Sequence, residues 1–117
     1  VGLLEHVKDK MTLFFKQAGD VIVLVGESRS DIHSSAYLYA VHHVEFSPAP
    51  HFDLEEEFLL QKKISRCIKS KLVESAHDVS EGGLLVTLAE CGFHRELGFD
   101  VHDNNNDVRS DAYWFGE

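Results

Sequence analysis

Ser75-Ala-His-Asp-Val-Ser-Glu-Gly-Gly-Leu84 decides how this 117-residue chain is read, because it joins an apolar run to the start of a helix. Leu72 to Ala76 reads as a strand that delivers His77 and Asp78. A helix is expected from near Ser80 through Leu84, Leu85, Val86, Leu88, Ala89 and Cys91, with Ser80 as its N-cap and Glu81 in its first turn. It is apolar on nearly every side, so it is expected to lie buried against a sheet. Gly82 and Gly83 are costly there, since glycine in a helix loses roughly 1 kcal/mol relative to alanine. Two explanations stand open. A phosphate resting on free N–H groups at a helix start needs bare backbone, and so does tight packing against a neighbouring element. Asp78 precedes the turn, where a carboxylate suits Mg²⁺, a cation that takes few protein oxygens beside phosphate and water.

Outward from this turn, the chain alternates strand and helix patterns. Asp20 to Gly26 (DVIVLVG) is a short, β-branched apolar run and predicts a buried strand. Ser34 to His43 predicts a short helix, with its aromatics leaving a strand open, and Ser47-Pro-Ala-Pro50 a stiff extended connector. Asp53 then caps a helix to about Leu72. Glu55, Glu56 and Glu57 sit at its positive end, and Leu54, Phe58, Gln61, Ile64 and Ile68 recur at spacings of three and four. Leu97 to Val101 reads as a strand, Asp103 to Asp107 as a polar loop, and Asp111 to Phe115 as a short helix. The alternation predicts a single layered α+β domain over residues 1–117.

The charge of −9 and pI near 5.3 argue against nucleic-acid or anionic-membrane binding through a broad basic face. No apolar run approaches the roughly 18 residues that cross a bilayer, and the first ten residues lack a signal-peptide plan. Cys67 and Cys91 read as reduced thiols of a cytoplasmic protein. The eight histidines show no zinc-ligand spacing backed by cysteines, which leaves them as exposed, unliganded side chains. Glu55 to Glu57 read as a solvated helix start rather than a metal cluster. Ser75, His77 and Asp78 are too close in sequence to form a nucleophilic triad, and no nucleophile elbow is present.

SAHDVSEGGLLVTLAE at 75–90 resembles a motif of the phosphoribosylformylglycinamidine synthase family, in its second aminoimidazole ribonucleotide synthetase-like C-terminal domain. The resemblance runs along nearly the whole chain, through GLLEHVKDKMTLFFKQAGDVIVLVGES, SSAYLYAV, SPAPHFDLEEEFLLQKKI and RSDAYWFGE in the order that family would show. It implies a layered domain that lacks its last strand or strands. The implied protein is an ATP-dependent ligase of purine biosynthesis that uses Mg²⁺, with ammonia supplied by a glutaminase domain or subunit. On this resemblance Asp78 is carried over as a metal residue and Ser80 as a nucleotide contact; Gly82 and Gly83 follow on the physical argument alone. The family's catalytic histidine belongs to an earlier domain and is not His77, so no catalytic residue is expected in this chain. The alternative is a non-catalytic scaffold or regulatory half that holds a structural nucleotide or stabilises the active half through packing. Ala36 stands where relatives usually carry glutamate, and Phe14 where aspartate is common. Separated from its sister domains, the chain is expected to be inactive and to self-associate.

Overall fold

The helix begun by Asp53 forms as its local sequence dictates. In the computed structural model, which describes residues 3–102 and 107–117, Asp53 Oδ1 accepts from the N–H groups of Glu55 and Glu56, both at 2.9 Å. These donors, Glu56 first, hold the Asp53 carboxyl below its usual range. In chain order the helices are α1 (Ala36–His42), α2 (Leu54–Lys69), α3 (Gly83–Phe93) and α4 (Ser110–Phe115), with a 3-10 turn at Val7–Asp9. Ser35 caps α1 by accepting from the Leu38 N–H at 3.3 Å, and its backbone turns out through a left-handed His43. The polar loop expected at Asp103 to Asp107 lies, but for Asp107, outside the described residues.

The strands do not appear. Among the described residues no segment is paired into a sheet, so the expected α+β architecture is not what the backbone shows. Residues 20–26, 72–76 and 97–101 run without regular structure. The reason is physical: an apolar, β-branched run favours extended backbone, but a strand exists only where a neighbour completes its ladder. Ala76 donates to Thr12 O at 3.2 Å, an isolated bond between two segments rather than the start of a ladder.

The core is small and is built on α3. Leu84, Leu88 and Cys91 are buried on one face, and Ala112 of α4 closes over them. α3 thus packs against α4 and not against a sheet, and its other face stays open at Leu85 and Val86. Thr87 is buried within the same face and satisfies its hydroxyl by donating to Gly83 O at 3.0 Å. Cys67 and Cys91 are free thiols, and burial pushes the Cys91 thiol up, helped by the charge of Glu90. The rings of Tyr37 and Phe115 stack at 4.4 Å and join α1 to α4. The Phe15 N–H donates to Cys91 O at 2.9 Å, tying the N-terminal segment to the end of α3. Asp31 accepts from the N–H groups of His33 and His51, both at 2.9 Å, and these two bonds lower its carboxyl.

Much apolar surface is left uncovered. Val21, Val23, Phe46, Phe52 and Leu54 are all exposed, and the stripe on α2 contributes nothing to the buried core. Surfaces of this kind mark contacts with other protein or drive association. The purified chain is expected to self-associate, with light scattering showing a mass that rises with concentration; a constant monomer mass from dilute to concentrated solution refutes this.

Candidate functional site

The turn at 78–83 is shaped by two left-handed glycines. Gly82 has φ 89° and Gly83 φ 71°, values that residues with a Cβ adopt only with strain. The Gly83 N–H donates to Ser80 O at 2.9 Å and closes the turn, and the helix starts at Gly83. The expectation that Ser80 caps this helix is therefore corrected. Gly82 holds the N-cap position with no side-chain cap, because the positive φ angles swing the chain into the helix axis only at that point. Ser80 is exposed two residues earlier.

Close approach accounts for both glycines. A Cβ on Gly82 would stand 2.5 Å from Val86 Cγ2, and one on Gly83 would stand 2.6 Å from Phe115 Cα and 2.8 Å from Trp114 O. The second contact is backbone against backbone, where α4 ends on the start of α3. Of the two explanations left open by the sequence, packing thus has specific partners for each position.

A carboxylate already lies at this helix start. Glu117 Oε1 accepts from the Gly82 N–H at 2.8 Å and from the Ala36 N–H at 2.7 Å, so one oxygen gathers donors from the leading ends of α3 and α1. The arrangement is the kind that helix termini favour, an anion on unpaired N–H groups. Replacing Glu117 by alanine is expected to lower stability by about 1 kcal/mol, the scale of charge-assisted bonds at an exposed site. Urea unfolding midpoints measure it, and an unchanged midpoint removes Glu117 as a link between the helices.

Asp78 is open to solvent, with 85% of its side chain exposed, while its neighbour His77 is only 14% exposed. The His77 ring lies between two carboxylates, with Nδ1 3.2 Å from Asp78 Oδ1 and Nε2 3.0 Å from Glu90 Oε2 of α3. Exposed, unliganded histidines are what the sequence predicts, and His77 departs from that in exposure, its side chain being largely enclosed. Its motif was visible in the sequence, but the partner thirteen residues on was not. Glu117 was likewise missed, since nothing local in Trp114-Phe-Gly-Glu117 marks a carboxylate that reaches two helix starts.

Among the described residues no group of three or more His, Cys, Asp or Glu side chains is gathered to hold a metal ion. An exposed single carboxylate does fit Mg²⁺, which keeps most of its shell as water and phosphate oxygens. No helix among the described residues is long and apolar enough to cross a membrane.

Comparison with known proteins gives the following. A family model described as "AIR synthase related protein, C-terminal domain" matches residues 17–113. The chain is 43% identical over 117 residues to the phosphoribosylformylglycinamidine synthase subunit PurL of Alkaliphilus metalliredigens, covering 100% of this chain and 16% of the relative. The PurL subunit of Azorhizobium caulinodans is 39% identical with the same two coverages. That of Chlorobium chlorochromatii is 39% identical over 115 residues, covering 96% of this chain and 15% of the relative. The chain therefore spans only about one sixth of the length of these relatives. No solved structure matches it.

Proposed function

Since this chain belongs to the AIR synthase related protein, C-terminal domain family, we propose that it works as one domain of a phosphoribosylformylglycinamidine synthase. That enzyme converts formylglycinamide ribonucleotide to formylglycinamidine ribonucleotide with ATP and with ammonia from glutamine. The observation that carries this reading is the end-to-end similarity, 43% identity across all 117 residues, to a subunit bearing that name. The relatives are about six times as long as this chain; in this reading turnover belongs to the complete protein with its glutaminase, in the cytoplasm, and the separate chain is expected to be inactive.

Within that reading the 78–83 turn is where Mg²⁺ and nucleotide meet this domain. Asp78 would hold the cation through its exposed carboxylate, and Ser80, Gly82 and Gly83 would contact the nucleotide. Bound Mg²⁺ supplies positive charge to polyphosphate oxygens. The chain's own part is to present one hard oxygen beside a backbone without Cβ atoms. A phosphate that uses the Gly82 N–H must take the place of Glu117 there. No residue of this chain is assigned a bond-making role.

Two observations favour a second reading, in which the chain is a scaffold or regulatory half. Both glycines have packing partners that require them, and the Gly82 N–H already has an anionic acceptor. Titration of the complete synthase with nucleotide and Mg²⁺, with and without Asp78→Ala, separates the readings. Weakened Mg²⁺-dependent nucleotide binding supports the metal-nucleotide corner; unchanged nucleotide retention and activity leave the scaffold.

A further inference from the structure

We infer that His77, held by Glu90, is a positioning residue that aims the Asp78 carboxylate. The inference rests on the reading of Asp78 as a Mg²⁺ residue and assigns the groups that prepare it. Three observations converge. Asp78 stands on an irregular stretch with its side chain 85% exposed, so packing does not fix its rotamer. The His77 ring is largely buried and engages Asp78 Oδ1 at 3.2 Å, which leaves Oδ2 for a cation. The far nitrogen of the same ring meets Glu90 Oε2 at 3.0 Å, and Glu90 stands on α3, the helix that forms the core. The order of α3 thus passes through Glu90 and the imidazole to a carboxylate on the turn. Groups placed behind a ligand in this way set its direction, and their removal typically weakens metal binding by about 10- to 100-fold.

A ring serving only to fasten the turn to α3 would have no effect on a cation at Asp78, so metal affinity is the readout. Mn²⁺ binding to the full-length synthase loaded with ADP, followed through the electron paramagnetic resonance signal of the hydrated ion, reports it without turnover. Asp78→Asn identifies the site by the binding that it loses. At that site, His77→Ala is expected to weaken Mn²⁺ by about tenfold or more, and Glu90→Ala by a smaller factor of the same sign. His77→Asn, which keeps an N–H donor near Nδ1, should recover part of the loss. If His77→Ala does not fold, Glu90→Ala decides, since Glu90 is half exposed and its removal spares the core. Loss of the site in Asp78→Asn with unaltered affinity in both Glu90→Ala and the folded His77 variants overturns the positioning role alone. Undiminished Mn²⁺ binding in Asp78→Asn overturns the metal reading of Asp78 and the positioning role with it.

Discussion

Gly83→Ala is expected to destabilise the chain by ~2–4 kcal/mol, which chemical unfolding of wild type and variant will measure. Two independent costs add at this position. The backbone is held at φ 71°, so alanine pays the steric strain of the left-handed region whatever surrounds it. The added methyl then meets Phe115 Cα, Phe115 C and Trp114 O at 2.6–2.8 Å, all main-chain atoms that cannot rotate away. Relief requires α4 to withdraw from α3, and that movement uncovers Leu84 and Leu88 beside Ala112, the few side chains the fold buries. Gly82→Ala presses on the Val86 side chain, where a shift of one residue offers partial relief, so the milder variant of the pair is at 82. Equal stability of wild type and Gly83→Ala would mean that the two helices do not meet backbone to backbone.

What could be read in advance follows the distance over which each feature is decided. The cap at Asp53 and the acidic first turn of α2 are settled within four residues, and the helix starts where those residues say. α1 has a local signal in its Ser35 cap, although its aromatics suit a strand equally, whereas α4 starts without a side-chain cap. The run at 20–26 has strand composition, but a ladder needs a second segment alongside, and periodicity says nothing about which segment that is. For α3 no local pattern says that its apolar face would meet α4 rather than a sheet. The site divides in the same way. Asp78 and the two glycines stand out through residue type and spacing, whereas His77 acquires its role from Glu90 one helix length away and Glu117 from the folding of α4 against α3. The glycine pair was legible as a demand for bare backbone; whether a ligand or a neighbour makes that demand depends on contacts that no local pattern encodes.

Asp78→Ala in the complete synthase is expected to weaken Mg²⁺-dependent nucleotide binding by about tenfold or more while leaving metal-free binding unaltered. Tenfold corresponds to roughly 1.4 kcal/mol, a modest demand on a carboxylate that touches a divalent cation directly. The effect should be confined to the metal-dependent part because the Asp78 side chain is 85% exposed and its contact within the fold is with the neighbouring His77. Isothermal titration at several fixed Mg²⁺ concentrations reads the two parts separately. Glu117→Ala is the informative contrast. It removes a negative charge from the N–H groups of Gly82 and Ala36, so an anionic phosphate at this helix start should bind more tightly even as the fold loses stability. A metal-nucleotide corner therefore predicts opposite signs for two carboxylate deletions in the same region. A scaffold predicts that neither moves affinity, since Asp78 then serves only its contact with His77 and Glu117 only the two helix starts.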